Sequence, residues 1–210
     1  KRLQDKMLVA LMLDKRFISR TMLQKALQEF AQLKSMTIEK IIAQKARVPL
    51  ADIEGAIDKA RQSQMFGLQV GEILLISGLV NEEQILDALD YHEHIKNLEI
   101  GQFLIDKRVV NEMEVYIALA EKHRIPYLDL RQRKITRESM AILPDSIITH
   151  HEILPLVKKN DILLVATYLV DTTHLSETIV MASGCKQVKY VLYSPTHLKK
   201  IINLLYDKNK

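Results

Sequence analysis

The residues best suited to metal or nucleophile chemistry in this chain are seven histidines and one cysteine, and their spacing argues against both uses. His92 and His94 are two apart, which puts them on different sides of a helix; chelation from one helix needs the i, i+4 spacing. His150 and His151 adjoin each other ahead of an apolar run, with no cysteine or carboxylate spacing to complete a coordination set. Cys185 stands beside Lys186 with no neighbouring base, so an inert thiol is expected, and a lone cysteine forms no internal disulfide. No GxxxxGK[ST] loop, nucleophile elbow, paired-carboxylate motif or glycine-rich dinucleotide loop occurs, which excludes nucleotide hydrolysis by this chain. The expectation is therefore no metal, no catalytic residues and no enzyme. What remains is recognition, and the elements that would present it are unusually legible.

Four times in the first 125 residues the chain writes an apolar helix, a tight break and a second, capped helix. The clearest copies are "VGEILLISGLVNEEQILDAL" from Val70 and "IGQFLIDKRVVNEMEVYIAL" from Ile100, with fainter ones around "ALMLDKRFISRTMLQKAL" and "IEKIIAQKARVPLADIEGAI". Three sets of anchors align: Ile18, Val48, Val80, Val110; Leu23, Ile53, Ile85, Val115; and Leu27, Ile57, Leu89, Leu119. Ile73, Leu74, Ile76 and Leu86 add to the apolar spacing of the third copy. Asn81 with Gln84, and Asn111 with Glu114, have the spacing of a capping box; Ser19 and Pro49 occupy the same place in the earlier copies. Gly78 is placed to close a helix with positive φ. A helical hairpin of this size cannot bury its apolar face alone and must stack on another. Eight short helices are expected between about residues 3 and 123, and "DKARQSQMFGLQ" is the candidate joint between hairpin pairs.

Past "HRIPYLDL" the pattern changes. Pro126 ends the helical region, and "EILPLVKKNDILLVATYL" reads as two β runs around a turn at Lys158–Asp161. "THLSETIVMAS" is a helix capped by Asp171 or Thr172 and stopped at Gly184; "KQVKYVLYS" is a third strand, and Pro195 opens a last helix. The fold class expected is α+β: tandem helical-hairpin repeats followed by a small three-stranded α/β sandwich. Three segments follow: 1–66, basic repeats 1 and 2; 67–125, acidic repeats 3 and 4; 126–210, the α/β part.

Charge supports that division. Residues 1–66 hold 13 Lys/Arg against 7 Asp/Glu, residues 67–130 hold 5 against 12, and residues 131–210 hold 12 against 7. The acidic middle repels phosphates, so no nucleic-acid partner is expected. No long uncharged apolar run occurs, so no membrane insertion is expected, and the single cysteine suits a cytoplasmic setting.

Taken in order, "VGEILLISGLVNEEQILDAL", "RIPYLDL", "ILPLVKKNDILLVA" and "YSPTHLKKIINLLY" resemble the N-terminal, non-catalytic domain of type II secretion and type IV pilus assembly ATPases, over roughly residues 67–207. The family's Asp-Pro after the second β run is Leu169–Val170 here. The resemblance implies a regulatory or docking domain of a secretion or pilus machine, with a protein partner and no fixed cofactor. Some members bind cyclic di-GMP through two tandem motifs that begin Arg-Leu-Gly-x-x-Leu and end in Gln. The first maps here onto Gln69, Val70, Gly71, Leu74 and His92, the second onto Glu99, Ile100, Gly101, Leu104 and Lys122. Both glycines remain, and both arginines are replaced, one by a carboxylate. Losing two charge-assisted contacts of roughly 1.5–3 kcal/mol each weakens such binding by about two to four orders of magnitude. A protein-docking module is thus the first expectation, and a cyclic di-GMP receptor with altered contacts the alternative. The docking face expected is the groove between repeat pairs, together with any exposed strand edge of the α/β part.

Overall fold

Eight helices occupy the first half of the computed structural model, which describes residues 2–65, 67–132 and 135–207. They are α1 (Arg2–Asp14), α2 (Arg20–Lys34), α3 (Ile38–Ala46), α4 (Leu50–Gln62), α5 (Val70–Ile76), α6 (Glu82–Asn97), α7 (Ile100–Asp106) and α8 (Glu112–His123). Each sequence repeat is one hairpin of two helices. The capping boxes form as spaced: Asn81 Oδ1 accepts from the Gln84 N–H at 2.9 Å while Gln84 Oε1 accepts from the Asn81 N–H at 3.0 Å. Asn111 and Glu114 do the same at 2.9 and 2.8 Å, so two backbone donors of each helix start are satisfied reciprocally.

Every hairpin turns through one residue in the left-handed region. In the third hairpin it is Gly78 (φ 69°); in the others it is Arg16 (59°), Arg47 (56°) and Arg108 (55°). The hydrogen bonds are those of a Schellman close: Leu79 N donates to Leu74 O and Gly78 N to Leu75 O, as Val109 N does to Leu104 O and Arg108 N to Ile105 O. Arginine at these elbows carries the cost of a left-handed L-residue but sets a cation at a helix C-terminus.

Burial separates the three anchor sets. Leu23, Ile53, Ile85 and Val115 are all in the core, and so are Ile18, Val80 and Val110, with Val48 half-buried. The third set fails as a core set: Leu27 and Leu89 are exposed, Leu119 is half-buried, and only Ile57 is inside. Ala26, Ala88 and Ala118 face inward in place of those leucines, one position earlier. A small residue at i+3 lets the facing helix come close, which rotates the bulky i+4 residue outward. Ile76 and Leu86, expected on the apolar face, are likewise exposed.

Contacts gather the chain into two compact units, residues 21–103 and residues 1–20 with 104–210. These do not follow the three segments marked out by charge and repeat. The stretch expected to hold a joint is the last turn of α4 and the loop from it to α5, and these two helices pack together inside one unit; Phe66 within the loop lies outside the described residues.

In the unit 21–103, α3 packs on α6 and α4 on α5, around Ile41, Ile42, Ile53, Leu74, Ile85 and Ile95. The Phe30 ring of α2 meets Phe103 of α7 at 5.1 Å between centroids. The Lys34 ammonium donates to the Ile95 and Lys96 carbonyls at 2.6 and 2.8 Å, which places a cation on the C-terminal end of α6. Lys45 bridges α3 to α6 through Asp87 (3.1 Å) and the Tyr91 ring (4.6 Å).

In the unit built from 1–20 and 104–210, α1 packs on α8, with Lys15 paired to Glu121. Within the unit 21–103, α3 thus packs on both α6 and α4, and α4 on α5; within the other unit, α1 packs on α8.

Arg124, in the left-handed region, ends α8 two residues before Pro126. Residues 126–128 then run beside the third strand, where Leu192 N donates to Pro126 O (2.7 Å) and Leu128 N to Leu192 O (3.2 Å). A 3-10 turn at Leu130–Gln132 and two short helices, α9 (Arg137–Met140) and α10 (Asp145–His151), follow; none of the three was anticipated. The sheet is β1 (Leu154–Lys159), β2 (Ile162–Thr167) and β3 (Gln187–Leu192), in that order. The β1–β2 hairpin is antiparallel with a bulge between Pro155 and Val157, where the missing proline N–H interrupts the ladder. β3 joins β2 in parallel through α11 (Thr173–Ser183). Pro195 opens α12 (Pro195–Asp207) as expected, and Ile148, Ile153, Leu163, Leu175, Ile179 and Leu198 fill the core with exposures near zero.

Candidate functional site

Five of the ten motif positions lie on the third hairpin. Gln69 is the exposed residue before α5, and its backbone N–H donates to Glu72 Oε2 at 2.7 Å. A carboxylate thus already occupies the start of this seven-residue helix. Val70 is half-buried, Leu74 is fully buried, and His92 is half-buried on α6. At Gly71 an added Cβ would stand 3.3 Å from Ile85 Cγ2 and 3.8 Å from Ile85 Cδ1. The missing side chain is therefore used by α6, which sits directly on α5.

The second set is divided between units: Glu99, Ile100 and Gly101 fall in residues 21–103, Leu104 and Lys122 in the other unit. Glu99 is exposed ahead of α7, with its carbonyl accepting from Phe103 N at 3.0 Å; Ile100, Gly101 and Leu104 are buried. Lys122 is half-buried on α8, beside His123, whose pKa is lowered by burial and then by the Lys122 charge. The first-named position of each motif thus offers a neutral amide and a carboxylate, and four of the ten positions are interior.

The most exposed apolar pair on α6 is Leu86 and Leu89, at 61% and 47% exposure. Glu82, Glu83, Asp90 and Glu93 surround them along the same helix, all exposed and none in an ion pair among the described residues. Leu89 was expected in the core; the sign that it is not was Ala88, the small residue one place before it.

Several polar groups of the unit that holds the α/β part pair with one another. Glu112, in the first turn of α8, accepts from the Thr196 hydroxyl (2.9 Å) and backbone N–H (3.3 Å) at the start of α12. Asp129 takes both Arg131 Nε (2.9 Å) and Nη2 (2.7 Å), and these hydrogen bonds hold its carboxyl below the usual range. Burial pushes the Tyr127 phenol up to about 12, with Tyr193 6.0 Å away. Glu152 accepts from Tyr168 Oη (2.6 Å) and pairs with Lys199 (2.9 Å); both contacts lower its pKa, while burial and the carboxylate raise Tyr168 to about 12. Cys185 is buried. Among the described residues, no buried side-chain polar atom lacks a partner and no group of three His, Cys, Asp or Glu is placed to hold a metal ion. No helix among them is long and apolar enough to cross a membrane.

Comparison with known proteins places part of this chain. A solved structure of MshE with cdg aligns over 65% of this chain and 98% of its own length, at 20% identity and a TM-score of 0.46. The N-terminal domain of XpsE aligns over 63% of this chain and 90% of its own at 14% identity (TM-score 0.37), and in its I4122 crystal form over 64% and 92% at 16% (TM-score 0.35). No curated protein matches the sequence. The MshEN domain family matches residues 123–210, from the last residue of α8 through α12. That span is the α/β part, which lies within the residues 67–207 read from the sequence as resembling secretion and pilus ATPase N-terminal domains, and residues 123–210 are thus similar to the MshEN domain family.

Proposed function

We propose that this chain is a non-catalytic regulatory and docking module of a type II secretion or type IV pilus-related system, working in the cytoplasm. Its partner is a protein helix with cations flanking an apolar stripe. The family match supports the setting. The observation that carries the mode is the α6 face, where Leu86 and Leu89 stand in solvent inside a collar of unpaired carboxylates. The leucines supply contact area, and the carboxylates steer a basic helix and repel acidic ones. A photoreactive residue at position 86 or 89 should crosslink the partner in cells. Purified partner should then bind the full chain with an affinity that falls as salt rises, and Leu86→Asp with Leu89→Asp should abolish binding. No crosslink from 86 or 89, with capture of the partner by the same photoreactive residue placed in the α/β part, would overturn this face.

The retained glycines at both motif starts favour a second reading, a cyclic di-GMP receptor with altered contacts. Gly71 has a packing use against Ile85, and no arginine stands at position 69 or 99. Calorimetric titration decides it: heat on adding cyclic di-GMP to the native chain establishes the receptor. Affinity gained only in Gln69→Arg with Glu99→Arg leaves the native chain as the docking module.

A further inference from the structure

A cleft of about 440 Å³ lies between α4 and α5, and its lining shares no residue with the Leu86–Leu89 face. Its rim is apolar and open: Ile76 is 64% exposed and Met65 45%. Its floor along α4 carries two opposite charges, Asp52 and Lys59. Neither has an ion pair or side-chain hydrogen bond among the described residues. They cannot reach each other, because seven residues of helix separate them by roughly 10 Å.

Midway between them is Gly55, in the helix interior, where an added Cβ would meet nothing within 4 Å. No packing among the described residues requires a glycine there, although glycine weakens a helix interior. The lining is also symmetric in sequence. Turning α4 end for end about the Gly55–Ala56 bond exchanges Asp52 with Lys59, Ala51 with Ala60, and Gly55 with Ala56. A two-fold interface needs this property: each residue must meet a counterpart that it also suits. Two antiparallel copies of α4 would place small residues at the crossing and form the Asp52–Lys59 pair twice.

We infer that this cleft is an interface for a second copy of the chain, with α4 crossing its symmetry mate at Gly55–Ala56. The second copy covers Ile76 and Met65, and the two unpaired charges find their partners across the axis. This surface is separate from the one proposed for docking and stands or falls independently of it.

Sedimentation of the full chain from micromolar to millimolar concentration reads the proposal directly. The native chain should pass from monomer to dimer. Gly55→Leu, which enters open space in the monomer, should stay folded by circular dichroism and monomeric throughout. Asp52→Lys alone and Lys59→Asp alone should each raise the dimer dissociation constant by about tenfold or more, because each sets like charges together twice. The double swap, Asp52→Lys with Lys59→Asp, should restore it. A native chain that remains monomeric, a dimer indifferent to Gly55→Leu, or a double swap that fails to recover what the single changes lose would overturn the inference. So would a foreign helix protecting the cleft while the chain stays monomeric.

Discussion

At the scale of single residues, the four hairpin elbows test how the fold handles left-handed backbone. Arg108 holds φ 55° where Gly78 holds 69°. Arg108→Gly should raise stability by about 0.5–1 kcal/mol and Gly78→Ala lower it by about 1 kcal/mol, since only glycine adopts this region without a Cβ penalty. Thermal melts of the two variants should move in opposite directions. Gly71 tests a different constraint, because the space beside it is already taken by Ile85. Gly71→Val should cost about 1–3 kcal/mol by overpacking the α5–α6 contact, with no ligand present. Chemical denaturation measures this, and a neutral result would return the glycine to a ligand role. His151 supplies a pH dependence. Burial first, then the charges of His150 and His174, lower its pKa from 6.5, so the folded chain binds its proton less readily than the unfolded chain. The stability it contributes is full above pH 6.5 and is lost as pH falls through the folded pKa. Replacing it by glutamine should flatten the stability curve in that interval, read as melting temperature against pH.

At the scale of elements, the chain was most readable where local chemistry decides. Asn81, Asn111, Gly78, Gly184 and Pro195 each mark a helix end that the structure reproduces, because caps and breakers act within four residues of themselves. The β1–β2 hairpin was readable for the same reason, with Asn160 in the left-handed region of its turn. What could not be read is which of two adjacent residues faces inward. Ala88 and Leu89 both fit a helical period, and the choice belongs to the facing helix, which lies far away in sequence. The site positions suffered similarly: a motif alignment names Leu74 and Leu104 but does not say that both are buried. Lys34 gives a prediction at this scale. Its ammonium closes the end of α6 on the Ile95 and Lys96 carbonyls, so Lys34→Met should cost about 1–2 kcal/mol. Amide exchange should quicken near residues 95–97, whereas a surface lysine without this contact would leave those amides unchanged.

At the scale of the whole molecule, charge is segregated along the sequence, and the acidic stretch that contains α6 is the one offered for docking. Binding through that face should weaken as salt rises beyond what neutral contacts show, because exposed carboxylates act over about 8–10 Å at ordinary ionic strength. Titration at two salt concentrations separates this from purely apolar contact. The order in which the helices find one another has a consequence for how the molecule is made. α4 and α5 are joined by the short loop 63–69, whereas α1 must wait for residues 15–111 before α8 exists to receive it. On the ribosome the inner pair can zip while its neighbours are still being translated, and the first helix stays unpartnered until the eighth emerges. Substitutions in the late seam should accelerate unfolding and leave the forward rate nearly untouched; those in the early seam should slow the forward rate.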